Sequence, residues 1–330
     1  MPVGRCVVYI QELLTWDQFN EERLSFLKAI GVDCICLDIR AMHRTDPAQD
    51  LRDGRNRTDF FETAKAKVET HGMRLHSIFM AGWDEITLAT SDRDEKIEAW
   101  CTMLWGIGAA GIPVLGYNFK PKGNFRTPAT KGRGGASYST FDYDAFARNR
   151  PRPHEPTVSE AQMWEHLEYF LKRVIPVARE ARVRMALHPD DPPIPEPLGG
   201  VAQIASTVEQ FRRIFGLVPS ASNGMLFCQG CMTELVGTNV YDVIRELGSR
   251  NQIVYVHFRN VRGALPRFEE VFLDEGDVDM YRALQIYKEV GFNGPFMMDH
   301  TPHLPQKDAG WAGLAYAVGY IRGLIQAVYR

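Results

Sequence analysis

The sequence predicts an α/β protein, a single (β/α)8 TIM barrel over residues 1–330, on three observations. Helix-like segments alternate with short β-rich runs that are almost continuously apolar, eight such runs occur, and glycines punctuate the units at a regular interval. Near-continuous apolar strands belong to a parallel sheet buried on both faces. Eight strand–helix units fit a closed barrel better than an open sheet. No GxGxxG follows the first run, which argues against a dinucleotide-binding fold.

The first run is Cys6–Ile10. FLKAIGVDCICLDI then joins a helix-like segment, a glycine and the second run, Cys34–Ile39, and KVETHGMRLHSIFM does the same for the third, Arg74–Met80. GIGAAGIPVLGYNF leads into the fourth, Val114–Phe119. Glycine takes the left-handed conformation that follows a helix's last turn, so Gly31, Gly72 and Gly111 read as helix stops. They are 41 and 39 residues apart, the length of one helix and one strand with their loops. The fifth run is Arg184–His188, the sixth Met225–Cys228 and the seventh Ile253–Phe258. The last unit repeats the pattern in YKEVGFNGPFMMDH: Met280, Leu284, Tyr287 and Val290 mark one helix face, Gly291 stops it, and Pro295–Asp299 is the eighth run.

The regular spacing breaks once. After the fourth run a Gly-, Pro-, Arg- and aromatic-rich interval, residues 120–160, precedes the helix-like WEHLEYFLKRVIPVARE. Such an insertion is expected to be a lid or an oligomer-contact loop.

With 38 basic and 41 acidic residues the formal charge is −3, so the balance calls for neither nucleic acid nor an anionic membrane surface. No apolar run reaches the ~18 residues of a membrane span. The start, MPVGRCVVYIQELLTWDQ, lacks the pattern of a secretory signal, so the expected location is the cytoplasm and the expected partner a small molecule or another copy of the chain. The cysteines, at positions 6, 34, 36, 101, 228 and 231, fall mostly in apolar segments, as reduced thiols do.

In a TIM barrel the active site lies at the carboxyl ends of the strands. The fifth run ends in His188, the sixth in Cys228, the seventh carries His257 and the eighth ends in Asp299. Strands about 4.8 Å apart bring such tips together. Two imidazoles, a thiolate and a carboxylate suit Zn²⁺, Fe²⁺ or Mn²⁺ rather than Mg²⁺ or Ca²⁺. CQGC has no second CxxC to complete a structural zinc site, which leaves Cys231 structural. Asp190 and Asp191 are expected to orient His188 by hydrogen bonds or to cap its loop.

HPDDPP (188–193), NGMLFCQG (223–230), VYVHFRN (254–260), the F-E-E…GDVDM segment (268–280) and PFMMDH (295–300) resemble, in order and spacing, the mannonate dehydratase family, and GIPVLGYNFKP (111–121) with Arg126 and Thr127 resembles its strand-four segment. The likeness covers most of the chain from about residue 105 onward. It implies a barrel of the xylose-isomerase-like group, a homo-oligomer, and a lyase that dehydrates D-mannonate to 2-keto-3-deoxygluconate with Mn²⁺ or Fe²⁺. Carried over by motif, the metal ligands are again His188, Cys228, His257 and Asp299, and His300 is a catalytic residue. The chain departs from the family pattern at Met297, where the family has arginine, at His303, one place beyond the family's second histidine, and at GNFRTP, where the family has an aspartate–tryptophan motif. Tyr316 is the nearest match to the family's catalytic tyrosine. These departures imply a divergent member whose sugar acid need not be mannonate.

The expected reaction is removal of the proton beside a carboxylate with a divalent ion as Lewis acid, then protonation of the departing C3 hydroxyl. His300 and Tyr316 are the candidate acid and base, with His303 in reserve; Asn118, Arg126 and Arg259 are candidate substrate ligands. Two alternatives stand beside it. A metal-dependent sugar isomerase or epimerase needs the same barrel without a carboxylate clamp, and a non-catalytic ligand-binding barrel would be expected to have lost ligands.

Overall fold

The computed structural model describes residues 8–46, 50–121, 123–150, 152–153, 157–307 and 309–329. Eight parallel strands close into a barrel: β1 (Tyr9–Thr15), β2 (Cys34–Asp38), β3 (Arg74–Met80), β4 (Val114–Tyr117), β7 (Arg184–Leu187), β8 (Asn223–Cys228), β9 (Ile253–His257) and β12 (Pro295–Met297). Around the ring the order is β1-β12-β9-β8-β7-β4-β3-β2. The eight strands correspond to the eight runs, with one displacement. Polar Gln11 and Glu12 suggested an end at Ile10, but both are buried and β1 continues to Thr15. The expected start at Cys6 lies outside the described residues. Gly31, Gly72, Gly111 and Gly291 all have φ between +67° and +96°, as helix stops require.

The insertion is not an irregular loop. It contains β5 (Thr127–Lys131) and β6 (Ser137–Asp142), which join β10 (Val261–Ala264) and β11 (Arg267–Glu270) in an antiparallel sheet of order β10-β11-β6-β5. The hairpin that follows β9 supplies the partner strands, a long-range pairing that neither segment's local pattern reveals. Arg126, just before β5, and Glu270, at the end of β11, are thereby brought to the barrel mouth.

Apolar side chains fill the barrel interior, among them Cys36, Phe79, Val114, Leu226, Tyr255 and Met297. Tyr255 crosses this interior and lies against Gly116 on β4. A Cβ at Gly116 would overlap the Tyr255 hydroxyl and come 2.8 Å from Phe79. Gly116→Ala is therefore expected to destabilise the protein by about 1–3 kcal/mol through overpacking, read as a lower midpoint in urea unfolding. A midpoint equal to that of the parent chain would show that Tyr255 has room to move.

Candidate metal centre

Each barrel strand on one side of the mouth delivers one polar side chain at or just past its end. His188 follows β7, Cys228 and His257 end β8 and β9, and Asp299 lies two residues beyond β12. The neighbouring registers Cys228↔His257 and Met297↔His257 set these tips at one level. The ligand atoms of His188, Cys228 and His257 lie within 4.8 Å of one another, and all three residues are buried. Asp299 Oδ1 is 3.2 Å from His257 Nδ1.

Local chemistry prepares each of these groups as an electron-pair donor. His188 Nδ1 lies 2.6 Å from the Pro189 carbonyl oxygen. A carbonyl only accepts, so Nδ1 donates to it and Nε2 is left as the nitrogen available to an ion. His257 is buried beside Asp299 and Cys228, which raise its pKa from 6.5 to about 9 against its burial, so a bound ion would take the place of its proton. Burial opposes ionisation of Cys228, yet its thiol is held well below the usual range by the Cys231 thiol, the Arg259 guanidinium and the two imidazoles. Cys231 moves the opposite way, raised by burial and by the hydrogen bond it gives Cys228. Asp299 has a left-handed backbone, φ +71°, in a non-glycine residue. That conformation costs on the order of 1–3 kcal/mol and turns the chain where β12 exits. Burial disfavours the Asp299 carboxylate, but His257, His300 and Arg259 hold its pKa well below the ordinary carboxylate value. Two imidazoles, a thiolate and a carboxylate gathered at one buried point are a donor set that a divalent transition ion fits.

Behind the donors lies a buried ion network. Arg259, 1% exposed, places Nη1 2.6 Å from Glu270 Oε1 and 3.2 Å from Asp191 Oδ2, and Nη2 2.7 Å from Glu234 Oε1. It also donates to Cys231 Sγ at 3.4 Å. The glycine of CQGC makes room for it: a Cβ on Gly230 would stand 2.9 Å from the Arg259 Cζ. Arg126 donates to Asp191 at 2.7 Å and from Nε to Glu270 at 2.9 Å. Asp191, Cys231 and Glu234 also approach one another closely, and the Arg259 guanidinium is bonded to all three.

Several expectations change here. Arg126 and Arg259, expected to meet substrate, have their donors engaged by protein carboxylates. The aspartates of HPDD do not hydrogen-bond His188. Asp191 takes the two arginines, while Asp190 accepts from the Ala205 N–H at 2.9 Å and the Ser206 hydroxyl at 3.3 Å, which pins the loop. His300 joins the centre, with Nε2 3.3 Å from Asp299 and Nδ1 2.9 Å from Glu270. It lines a cavity of about 290 Å³ with His303, Arg126 and Glu270. Asn118 lines a larger one of about 530 Å³ over β2, β3 and β4. Tyr316 is not brought to this group. Its ring packs on Phe272 and Tyr320, and its hydroxyl shares hydrogen bonds with Asp274 and Arg133. Met297 is fully buried in the barrel interior.

Glu234 and Glu270 had no assigned role in the sequence. The available signal was a lone glutamate inside the apolar run CMTELV and a paired one in FEEVFL.

The network makes stability depend on pH. Burial pushes Glu270 up, but His300, Arg259 and Arg126 outweigh it and bring its pKa from 4.5 down to about 2. A depressed carboxylate contributes fully above its unfolded value and loses that contribution as pH falls through the folded one. The thermal midpoint should therefore drop as pH falls from 4.5 toward 2, and drop less in Glu270→Gln, which has already lost the charge. Equal acid sensitivity of parent and variant by scanning calorimetry would remove Glu270 from this role. His300, whose side chain is partly exposed, acts in the opposite sense: Asp299 and Glu270 raise it from 6.5 to about 9. Its contribution is complete below 6.5 and lost as pH rises through 9.

The known proteins that this chain resembles are mannonate dehydratases. A family profile described as D-mannonate dehydratase (UxuA) matches residues 154–330. A mannonate dehydratase from Enterococcus faecalis is 31% identical over 306 residues, covering 81% of this chain and 85% of that protein. Mannonate dehydratase 2 from Halalkalibacterium halodurans is 28% identical over 296 residues, 80% of this chain and 85% of that protein. The crystal structure of mannonate dehydratase from Streptococcus suis serotype 2 superposes with a TM-score of 0.83 at 27% identity, over 97% of this chain and 93% of that one. An L-ribulose 3-epimerase structure shares the fold alone, at 12% identity and a TM-score of 0.63.

Proposed function

Because this chain belongs to the D-mannonate dehydratase family, we propose that it is a sugar-acid hydro-lyase whose divalent ion is held by His188, Cys228, His257 and Asp299. The observation that carries the assignment is the convergence of His188, Cys228 and His257 within 4.8 Å, with Asp299 beside His257. The family resemblance points to Mn²⁺ or Fe²⁺, and the thiolate and imidazoles also suit Zn²⁺. When bound, such an ion supplies Lewis-acid stabilisation of the negative charge that develops when the proton next to the substrate carboxylate is removed.

The chain's own residues do the rest. Asp299 and Glu270 raise the pKa of the partly exposed His300 from 6.5 to about 9, which favours its protonated form. It lines the cavity beside the centre, where an acid can protonate a departing C3 hydroxyl. Glu270 fixes the imidazole through Nδ1 at 2.9 Å, so Nε2 is the end nearer Asp299. His303, in the same cavity wall, contributes a second polar contact for the sugar chain. The sheet built on the insertion acts as a lid, since Arg126, Ser137 and Ser139 line the cavity from that side. The family resemblance supports a homo-oligomer, and a metabolic hydro-lyase of this kind would work in the cytoplasm; among the described residues no helix is long and apolar enough to cross a membrane.

The test is to incubate Mn²⁺-loaded protein with a panel of hexonates and ketoses. Formation of an α-keto acid from a hexonate is expected. Aldose–ketose exchange without α-keto acid would instead place the chain among isomerases.

A further inference from the structure

We infer that Lys120 and Arg40 form a carboxylate-binding subsite on the half of the barrel mouth that carries no candidate metal ligand. The inference deepens the sugar-acid reading and rests on it. The cavity of about 530 Å³ opens over β2, β3 and β4, the strands that face β8, β9 and β12 across the ring. A hexonate reaching from the metal centre across the mouth enters this space.

A sugar acid brings negative charge that has to meet a cation, and the arginines nearest the metal centre are engaged. Arg126 and Arg259 are bonded to Asp191, Glu234 and Glu270. Met297, the last residue of β12, is apolar and fully buried. In the wall of the larger cavity Arg52 is closed by Asp50 at 2.9 Å. Lys120 is different. Its ammonium donates to two neutral oxygens, Asn124 Oδ1 at 3.0 Å and the Asp191 carbonyl at 3.5 Å. An ammonium has three donors, so capacity for a further acceptor remains.

Arg40 supplies a second, oriented donor. Asp38 holds Nε at 3.0 Å and Nη2 at 2.6 Å, and the guanidinium lies 4.7 Å over the Phe79 ring. Among the described residues Nη1 makes no hydrogen bond, and the side chain is 44% exposed. Asp38 balances much of the Arg40 charge, and Lys120 feels the Asp190 and Asp191 carboxyl groups without donating to either, so Lys120 offers a spare donor and Arg40 a directed one. Asn118, between them in the same wall, adds an amide.

Two carboxylates can satisfy this chemistry: the single one of an aldonate, or the far-end one of an aldarate whose other end sits at the metal. Equilibrium binding separates them, using full-length Mn²⁺-loaded protein, a 3-deoxyhexonate, a 3,4-dideoxyhexarate and a neutral 3-deoxyhexitol. None of these probes has a hydroxyl placed for dehydration. At least one acid should bind, and Lys120→Met and Arg40→Lys should each weaken it by about 10-fold or more, with metal content and hexitol binding unchanged. Sensitivity of the hexonate assigns the subsite to the C1 carboxylate; sensitivity of the hexarate alone assigns it to the far end. Acid binding by both variants as tight as the parent's, or failure of the parent to bind either acid, overturns the inference. Failure of the turnover panel would sink the dehydratase reading and leave this binding result standing.

Discussion

Cys228→Ser is expected to leave the purified protein almost without Mn, Fe or Zn and to abolish turnover. Replacing a residue that merely orients a ligand costs about 10–100-fold in metal affinity, so removing a ligand should cost at least that much. A serine hydroxyl stays protonated where Cys228 is held as a thiolate by Cys231, Arg259 and the imidazoles against its burial. Cys231→Ser is the control. A hydroxyl at that position can still donate to the Cys228 thiolate, so metal content should fall far less. Plasma mass spectrometry of protein purified without chelator reads both. Normal metal content in Cys228→Ser would remove the thiolate from the donor set.

Arg259→Met is expected to produce the largest loss of stability. Three buried carboxyl groups, Asp191, Glu234 and Glu270, converge on this guanidinium, which is itself 1% exposed. Removing one partner of a buried ion pair costs about 3–5 kcal/mol because the remaining charge is left uncompensated. For a large domain that is a fall in thermal midpoint of roughly 10 °C. Arg259→Lys should rescue little, since an ammonium cannot span Asp191, Glu234 and Glu270 from one planar group. Arg126→Met should cost less, because Arg126 is partly exposed and Arg259 still balances Asp191 and Glu270. Midpoints of Arg259→Met and Arg126→Met that coincide would show that Arg259 is not the centre of the network.

The barrel and its metal-facing strand ends were legible because they rest on local signals. Four units carry a glycine after a helical face and then an apolar run, the last of them ending in Asp299, and the remaining ligands stand at the ends of apolar runs that close in His188, Cys228 and His257. The antiparallel sheet was not legible, because its two hairpins are joined only by the pairing of β6 with β11, more than a hundred residues apart. The same distance hid the true partners of the charged residues. HPDD places Asp191 three residues from His188, and nothing local says that its carboxylate turns instead to Arg126 and Arg259. Tyr316 shows the limit of matching by motif: its helix, Ala309–Tyr329, turns that side chain toward Phe272 and Asp274. Lys120 and Arg40 read as ordinary surface charges in sequence, and only closure of the ring sets them across from the metal-facing strands.

The most direct measurement is anomalous diffraction from a crystal of the Mn²⁺-loaded protein. A single strong peak bounded by His188, Cys228, His257 and Asp299 is expected. A peak among Asp191, Cys231 and Glu234, or no protein-bound peak at all in active crystals, would contradict the assignment of this centre.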